Sequence, residues 1–435
     1  MAETFPTRQE IASHQLAQLR QLLAKVVPAN PFYTQKFCAA GINPEVASLE
    51  DFSSRFPFTL KQELIEDQRA HPVHGSNLTF PVEQYTRCHQ TSGTSGQPLR
   101  WWDTPESWSW MLGNWAEVYA AAGVSRANRI FFAFSFGPFL GFWTAFESAL
   151  RIGCLCLPGG GLSSSTRLRS IIDHQATVLC CTPTYALRLA EVAIREKIDL
   201  ADCKIGTIIV AGEPGGSIPV TRERISTHWN GARVYDHHGM TEVGPVTFEC
   251  PIRPSVLHVI ESSYFAEIVD PATGSPVQPG HVGELVLTTL GRVSSPVIRY
   301  RTGDLVKAAA PQSSGSAASV CACDRADLAL EEGILGRADD MIVVRGVNIY
   351  PSAVEEILRA NIHVAEYRVT MSSVGTLKEI SIEIEASENC QDTTDLVQQL
   401  EKDLQAAFAL RVPVTNVPRA TLPRFEMKAK RWVRI

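Results

Sequence analysis

The run TSGTSGQP, Thr91 to Pro98, places four small hydroxyl residues and two glycines in six consecutive positions. Gly93 and Gly96 allow tight, partly positive-φ turns, so several N–H groups can point at one anion. Thr91, Ser92, Thr94 and Ser95 add hydroxyl donors around it. By composition this is a loop that holds phosphate. It is not G-x-x-x-x-G-K-[ST], because no lysine follows the second glycine. A flexible Ser/Gly turn has the same composition, so the loop alone leaves both readings open. A second set concerns metal: Cys250 and His258 flank the turn PIRPSVL, and Cys321-Ala-Cys323 lies far downstream. Three thiolates and an imidazole make a closed tetrahedral set for structural zinc. The C-x-C spacing is tighter than the usual C-x-x-C, and plain free thiols are the alternative. His237 and His238 are adjacent, and their side chains would diverge on an extended strand, which argues against a shared metal.

Further signals come in a fixed order: HHGMTEVGP from His237 to Pro245, YRTGDL from Tyr300 to Leu305, GRADDMIVVRGVNIYP from Gly336 to Pro351, and LPRFEMKAKR from Leu422 to Arg431. With the Ser/Thr/Gly loop, this series resembles the adenylate-forming superfamily of acyl-CoA synthetases, adenylation domains and luciferases. It is most similar to the phenylacetate-CoA ligase branch, in which the modest length, GMTEVGP, RGVNIYP and the PRxExKAKR ending are typical. The resemblance covers nearly the whole chain. Any one motif could mislead; all of them in order are specific.

The resemblance implies ATP, Mg²⁺ and CoA as cofactors and a small carboxylic acid as substrate. An acyl-AMP would form with release of pyrophosphate, and an acyl thioester would follow. Carboxylate attack on the α-phosphorus is a phosphoryl-type displacement, so positioning and electrostatics carry most of it. Carried over residue by residue, Thr91, Ser92, Gly93, Thr94, Ser95 and Gly96 would hold the β- and γ-phosphates. Glu242 would be the hard oxygen ligand for Mg²⁺, with the Thr241 hydroxyl at the α-phosphate. Gly239 and Met240 belong to the same nucleotide turn. His238 stands where the family usually has a tyrosine packed on adenine; an imidazole can stack there too. Gly212, Glu213 and Pro214 match the G-x-E-P turn against the adenine face. Asp304 would accept from both ribose hydroxyls, with Arg337 near ribose and phosphate. Asp339 falls at the hinge about which the small domain rotates. Arg345 and Gly346 open the RGVN loop lining the thiol tunnel, Gly346 permitting close approach of pantetheine. Lys428 would meet the substrate carboxylate and α-phosphate. The family form there is Glu-Gly-Lys-Ala; here Met427 replaces the glycine, and Lys430 is a rival two positions on.

Phe134, Phe136, Phe139, Phe142, Trp143 and Tyr185 crowd the segments expected to line the acid. An aryl or arylacetic acid fits both cluster and family, although plain core packing gives aromatic clusters as well. The rival functions are transfer of the acyl group to a carrier-protein thiol or an amine, adenylyl transfer to a cofactor, and a non-catalytic adenylate-binding protein. No carrier domain is fused, which leans toward free CoA. Glu242, Asp304 and Lys428 together argue against the non-catalytic reading.

The elements that must position these residues divide the chain in two. Residues 9–25 place Ile11, Leu16, Leu19, Leu22 and Leu23 on one helical stripe, and a second helix is expected near Thr59, with Thr59 in the cap. From Ile130 to Val210, short apolar runs at 130–134, 154–157, 177–181 and 207–210 alternate with helical segments at 167–173 and 185–196. That alternation predicts an α/β large domain with helices on a sheet. Cys180 and Cys181 fall in one of those strands and read as core. From Phe265 to Leu290 the pattern turns strand-rich, with turns at Pro271-Ala-Thr-Gly and Pro279-Gly. Residues 308–319 are a low-complexity loop. Beyond Gly336 a small α+β domain is expected, with strands at 341–345, 366–371 and 379–386 and helices at 352–360 and 394–409. The domains are therefore 1–336 and 337–435.

At 435 residues the chain exceeds one compact core. A net charge of −6 with scattered Lys and Arg gives no footprint for nucleic acid or membrane. No run approaches ~18 apolar residues, and the first residues lack an apolar signal core. Eleven cysteines, an odd number, fit a reducing cytoplasm better than a disulfide framework. A homodimer is left open.

Overall fold

The computed structural model describes residues 5–91, 98–310, 321–338, 342–344, 347–349, 351–374, 377–425 and 430–434. Its centre is a five-stranded parallel sheet, in spatial order Leu155–Pro158, Arg129–Phe132, Val178–Cys181, Thr207–Ala211 and Arg233–His237. Strands covered on both faces read as continuous apolar runs, and Val178–Cys181 is buried at every position. Alternation along the strands sorts the core. Phe132, Cys180 and Ile209 join one cluster, while Phe131, Leu179 and Ile208 join another on the opposite face. The expected strands and intervening helices form, with ends shifted by up to three residues.

The crossover helices have defined starts. Ser163 caps Ser164–Asp173, its hydroxyl accepting from the Thr166 N–H. Thr182 caps Pro183–Glu196 in the same way, with proline at the first helical position. Parallel topology brings the ends of all five strands to one edge, so the segments following them cluster there.

Beside this sheet lies an antiparallel one, ordered Tyr264–Val269, Val282–Thr289, Tyr300–Lys307 and Gly336–Arg337. The expected turn at Pro271 forms, with the Asp270 carboxylate accepting from the Ala272 and Thr273 N–H groups. A three-stranded sheet of Thr247–Glu249, Leu257–Val259 and Ala329–Leu330 completes the large unit. The small unit has its own core of Ile342, Ile349, Val354, Leu358, Val369, Ile382, Leu400 and Leu404, among others. Its sheet is ordered Val414–Asn416, Leu377–Ala386, Val364–Val374 and Trp432–Arg434, the last strand parallel to its neighbour. No helix among the described residues is long and apolar enough to cross a membrane.

The N-terminal region departs from expectation. The first helix runs Arg8–Ala29 and buries Ile11, Leu19, Leu22 and Leu23, with Leu16 at the edge of that core. Two further helices then intervene, Pro31–Ala39 capped by Asn30 and Leu49–Arg55 capped by Ser48. The helix expected at Thr59 begins at Lys61. Thr59 does not cap it; its hydroxyl donates to the Ile298 carbonyl at 2.7 Å, and the Glu63 carboxylate receives the Leu60 N–H instead. Most of the low-complexity loop lies outside the described residues.

Candidate active site

Ligands in open parallel sheets bind beyond the carboxyl ends of the strands. Four of the expected site segments lie on that edge or continue from it. The turn after Thr207–Ala211 opens with Gly212 at φ +93°. Its Glu213 Oε1 accepts the Thr184 N–H at 2.8 Å, and Pro214 is exposed. Gly216 closes the turn where any side chain would collide, since a Cβ would come 2.2 Å from Asp236 Oδ1. Asp236 also accepts from the Ser217 hydroxyl at 2.6 Å, so this turn is fastened to the strand that leads into the histidine pair.

The two histidines diverge as strand geometry requires. His237 is buried, its Nδ1 2.6 Å from the Thr247 carbonyl and its ring 4.4 Å from Trp115. Burial pushes its pKa down to about 3, so the ring is neutral and Nδ1–H is the donor. His238 points the other way, Nε2 3.2 Å from Asp304 Oδ2. Two-residue strands Gly239–Met240 and Gly244–Pro245 then form a hairpin whose turn carries Thr241 and Glu242. A Cβ at Gly239 would lie 2.8 Å from the Gly244 carbonyl oxygen, so the hairpin closes only around glycine.

Glu242 is 3% exposed. Tyr300, the first residue of YRTGDL, donates its hydroxyl to Glu242 Oε1 at 3.2 Å. Lys61 Nζ lies 3.0 Å from the same oxygen. Burial, with the Glu242 charge adding, raises the Tyr300 pKa and keeps the phenol a donor. The Thr241 carbonyl accepts from Arg292 Nη1 at 2.7 Å, and Arg292 is itself fully buried against Asp103 through a bidentate pair at 2.7 and 2.6 Å. Asp103 ends the strand that follows the Ser/Thr/Gly loop. Lys61, Arg292 and Asp103 lie outside every motif and carry no local signal, whereas Tyr300 opens YRTGDL.

Asp304 and Arg337 face each other across adjacent antiparallel strands, the arrangement in which side chains meet. Arg337 Nη1 is 3.1 Å from Asp304 Oδ1. Thr241, Glu242, His238, Asp304 and Arg337 thus gather on one edge, joined through Tyr300 and Arg292. Ser92, Gly93, Thr94, Ser95, Gly96, Asp339, Arg345, Gly346 and Lys428 lie outside the described residues. Thr91 is described, its N–H donating to the Leu99 carbonyl, and Lys430 is exposed.

Beside the hairpin stands an apolar wall. Phe134 stacks on Phe142 with centroids 4.1 Å apart, and Phe136 meets Trp143 at 5.0 Å. Phe136, Phe139, Phe142 and Trp143 keep part of their surface open. Tyr185 is not part of this wall. It is buried in the core on the other face of the sheet, its hydroxyl 3.0 Å from Ser164 Oγ and the Arg167 guanidinium over its ring.

Away from this edge, Cys250, His258, Cys321 and Cys323 converge. Their ligand atoms lie within 4.8 Å of one another and all four residues are buried. Cys250 Sγ is 3.8 Å from Cys321 Sγ, and Cys323 Sγ is 3.4 Å from His258 Nε2. A disulfide would need about 2.05 Å, whereas the edges of a tetrahedron with metal–sulfur bonds of about 2.3 Å and metal–nitrogen bonds of about 2.0 Å are about 3.8 and 3.5 Å. His258 Nδ1 is 3.3 Å from the Asp327 carbonyl, which leaves Nε2 as the ligand nitrogen.

Residues 89–292 match the family model described as AMP-binding enzyme, and residues 346–434 match AMP-binding enzyme C-terminal domain. The phenylacetate-coenzyme A ligase of Escherichia coli (strain K12) is 31% identical over 97% of this chain and 94% of its own length. A crystal structure of 2-hydroxyisobutyryl-CoA ligase in the postadenylation state, with R3-HIB-AMP, superposes with a TM-score of 0.92 at 27% identity, covering 99% of this chain and 91% of that one. With 2-HIB-AMP and CoA in the thioesterification state, the corresponding score is 0.70 at 28% identity and the same coverage. The two units here are therefore arranged more like the former state than the latter.

Proposed function

The chain belongs to the AMP-binding enzyme family, in its phenylacetate-CoA ligase-like branch, and on that basis we propose that it activates an aryl or arylacetic acid for transfer to coenzyme A. It is an ATP-dependent, AMP-forming acid–CoA ligase that works through an acyl adenylate. The observation that carries the site assignment is the gathering on one edge of His238 and Glu242, Asp304, and Arg337, drawn from three expected motifs that lie far apart in the chain.

In the first half-reaction a carboxylate oxygen of the acid attacks the α-phosphorus, and the α–β bridging bond breaks to release pyrophosphate. In the second, the thiol sulfur attacks the acyl carbonyl, AMP leaves and the thiol proton passes to solvent. The chain's task in both is to hold and shield charge. We assign the triphosphate to Thr91, Ser92, Gly93, Thr94, Ser95 and Gly96, the α-phosphate to Thr241, and the adenine face to Gly212, Glu213, Pro214 and His238. Asp304 takes the ribose hydroxyls, with Arg337 holding its carboxylate in place. Lys428 meets the acid and α-phosphate, Asp339 serves as hinge and Arg345–Gly346 lines the thiol path, with the domain boundary at 336/337.

The residues around Glu242 fit a hard cation: an acid that is nearly buried, next in sequence to Thr241, with the Lys61 and Tyr300 contacts both on Oε1. Magnesium bound there would neutralise triphosphate charge. The Cys250, His258, Cys321 and Cys323 set fits tetrahedral zinc in a closed, structural role, supported by its spacing and burial. The aromatic wall supports an apolar acyl group. We place the enzyme in the cytoplasm, which suits eleven cysteines of which none is in a disulfide.

The test is carboxylate-dependent exchange of labelled pyrophosphate into ATP over a panel of acids, followed by CoA transfer. Aryl and arylacetic acids should support both. Exchange without CoA transfer would replace CoA by a carrier thiol, and preference for short aliphatic acids would overturn the aryl assignment.

A further inference from the structure

Thr184 occupies the second position of the helix Pro183–Glu196. Its amide has no partner within the helix at that position, and it donates to Glu213 Oε1 at 2.8 Å. Its hydroxyl lies 3.4 Å from Arg431 Nη1. Those two partners belong to different units of the molecule. Glu213 sits in the turn assigned to the adenine face, and Arg431 immediately precedes the last strand of the small unit.

Arg431 is held ready by its own unit. It is 6% exposed, with Nε 2.6 Å and Nη2 3.2 Å from the two Glu366 oxygens, and Nη1 3.7 Å from Glu355. The Tyr367 ring lies 5.1 Å beneath its guanidinium. All of these partners travel with Arg431 if the small unit turns, whereas Thr184 stays behind. Among the described residues, the Arg431 hydrogen bond that crosses to the large unit goes to Thr184.

The charges elsewhere in this cleft mix attraction with repulsion. Arg224 on the large unit and Arg359 on the small unit are close enough that Arg224 is held below the usual arginine range, by burial first and by Arg359 next. Burial also raises the Glu355 carboxyl; Arg431 and Arg359 oppose this, while the Glu213 and Glu366 charges add to it. Charges of both signs therefore face each other beside the Arg431–Thr184 hydrogen bond: Arg359 repels Arg224 and Glu213 repels Glu355, while Glu366 attracts Arg224 and Glu191 attracts Arg424.

We propose that Thr184 is a positioning residue that couples the adenine-face turn to the orientation of the small unit. With Glu213 seated on its N–H, Thr184 presents its hydroxyl to Arg431 and favours the arrangement seen here, in which the adenylate would form. Rotation toward the thiol step gives up that hydrogen bond while Arg431 keeps its carboxylates. The inference rests on the ligase assignment for its two half-reactions, but the coupling itself can be read without turnover.

The experiment compares wild type, Thr184→Val and Thr184→Ser as full-length proteins of matched thermal stability. Hydrogen–deuterium exchange at residues 431–434 is followed with and without ATP. Pyrophosphate exchange and thioester formation from supplied acyl adenylate are measured separately. In wild type, ATP should slow exchange at 431–434. Thr184→Val should lose that protection and about 3–10-fold in pyrophosphate exchange, the worth of one such hydrogen bond, with thioester formation nearly unchanged. Thr184→Ser, which keeps the hydroxyl, should restore both. Three outcomes would each overturn the coupling: no ATP protection in wild type, protection that survives in Thr184→Val, or equal losses in both half-reactions. Absence of pyrophosphate exchange with every acid would instead sink the ligase assignment, and the hydrogen-exchange arm would still decide the role of Thr184.

Discussion

Lys61 Nζ lies 3.0 Å from Glu242 Oε1, joining the first turn of an N-terminal helix to the turn proposed to hold magnesium. The Lys61 side chain is 39% exposed but that of Glu242 only 4%, so the lysine, with Tyr300, partners a buried carboxylate. Its weight should fall on charge at the site. Lys61→Ala is expected to slow adenylate formation by about tenfold or more and to destabilise the fold by about 1–3 kcal/mol, since a buried carboxylate loses a partner. Titration of pyrophosphate exchange against ATP and magnesium would check it; unchanged rates at all concentrations would make the pair a structural contact only.

The C-terminal lysines offer a sharper contrast. If Lys428 meets the carboxylate and α-phosphate only while the adenylate forms, Lys428→Ala should cost that step about 10²–10³ in rate, or roughly 3–4 kcal/mol. Thioester formation from supplied adenylate should change far less. Lys430→Ala, altering an exposed side chain, should be nearly silent in both assays. An essential Lys430 beside a dispensable Lys428 would mean that Met427 marks a shifted register.

For the cysteine–histidine set, metal analysis of chelator-washed protein should find one zinc per chain. Cys321→Ser should lose it and lower Tm by roughly 5 °C or more, while the variant that remains folded keeps pyrophosphate exchange. Loss of exchange in folded protein would give the metal a direct part in the reaction.

His237 sets a pH dependence whose sign is fixed by burial. Its folded pKa is pushed down to about 3 from an ordinary value near 6.5. The unfolded chain takes up a proton first as pH falls, so the stability from a neutral ring is complete above about 6.5. It is lost toward about 3, by at most about 1.4 kcal/mol per pH unit. Thermal melts from pH 7.5 to 4.5 should show Tm falling with acid, and less steeply in His237→Asn. His89, pushed down to about 4 by burial, should leave part of the slope in that variant. An equal slope in the variant would remove His237 from the account.

The central sheet was legible because parallel strands buried on both faces leave short apolar runs such as VLCC, and because glycine-rich turns follow them. Cys250, His258, Cys321 and Cys323 were legible as ligand types; their meeting was not, since it depends on Leu257–Val259 pairing with Ala329–Leu330. The helices Pro31–Ala39 and Leu49–Arg55 were missed because they are short and announced only by caps, Asn30-Pro31 and Ser48. Thr59 looked like a cap, but its hydroxyl satisfied a carbonyl on a distant strand, which local pattern cannot show. Tyr185 was assigned to the wrong face for a similar reason. The side it takes follows from the helix's rotation over the sheet, and Ser164 and Arg167 fix it there.

Arg292 has implications for how this site can change over generations. Its guanidinium, with no exposed surface, is bonded at once to Asp103 and to the Thr241 carbonyl. Removing either charged partner alone would strand the other in a dry interior, at about 3–5 kcal/mol. A compatible pair of replacements must also supply a donor for the Thr241 carbonyl. Single mutational steps away from this pair therefore pass through a poorly folded intermediate, while the apolar wall beside it can drift one residue at a time. Acid preference is free to diversify among descendants of this chain, whereas the frame behind the nucleotide is not.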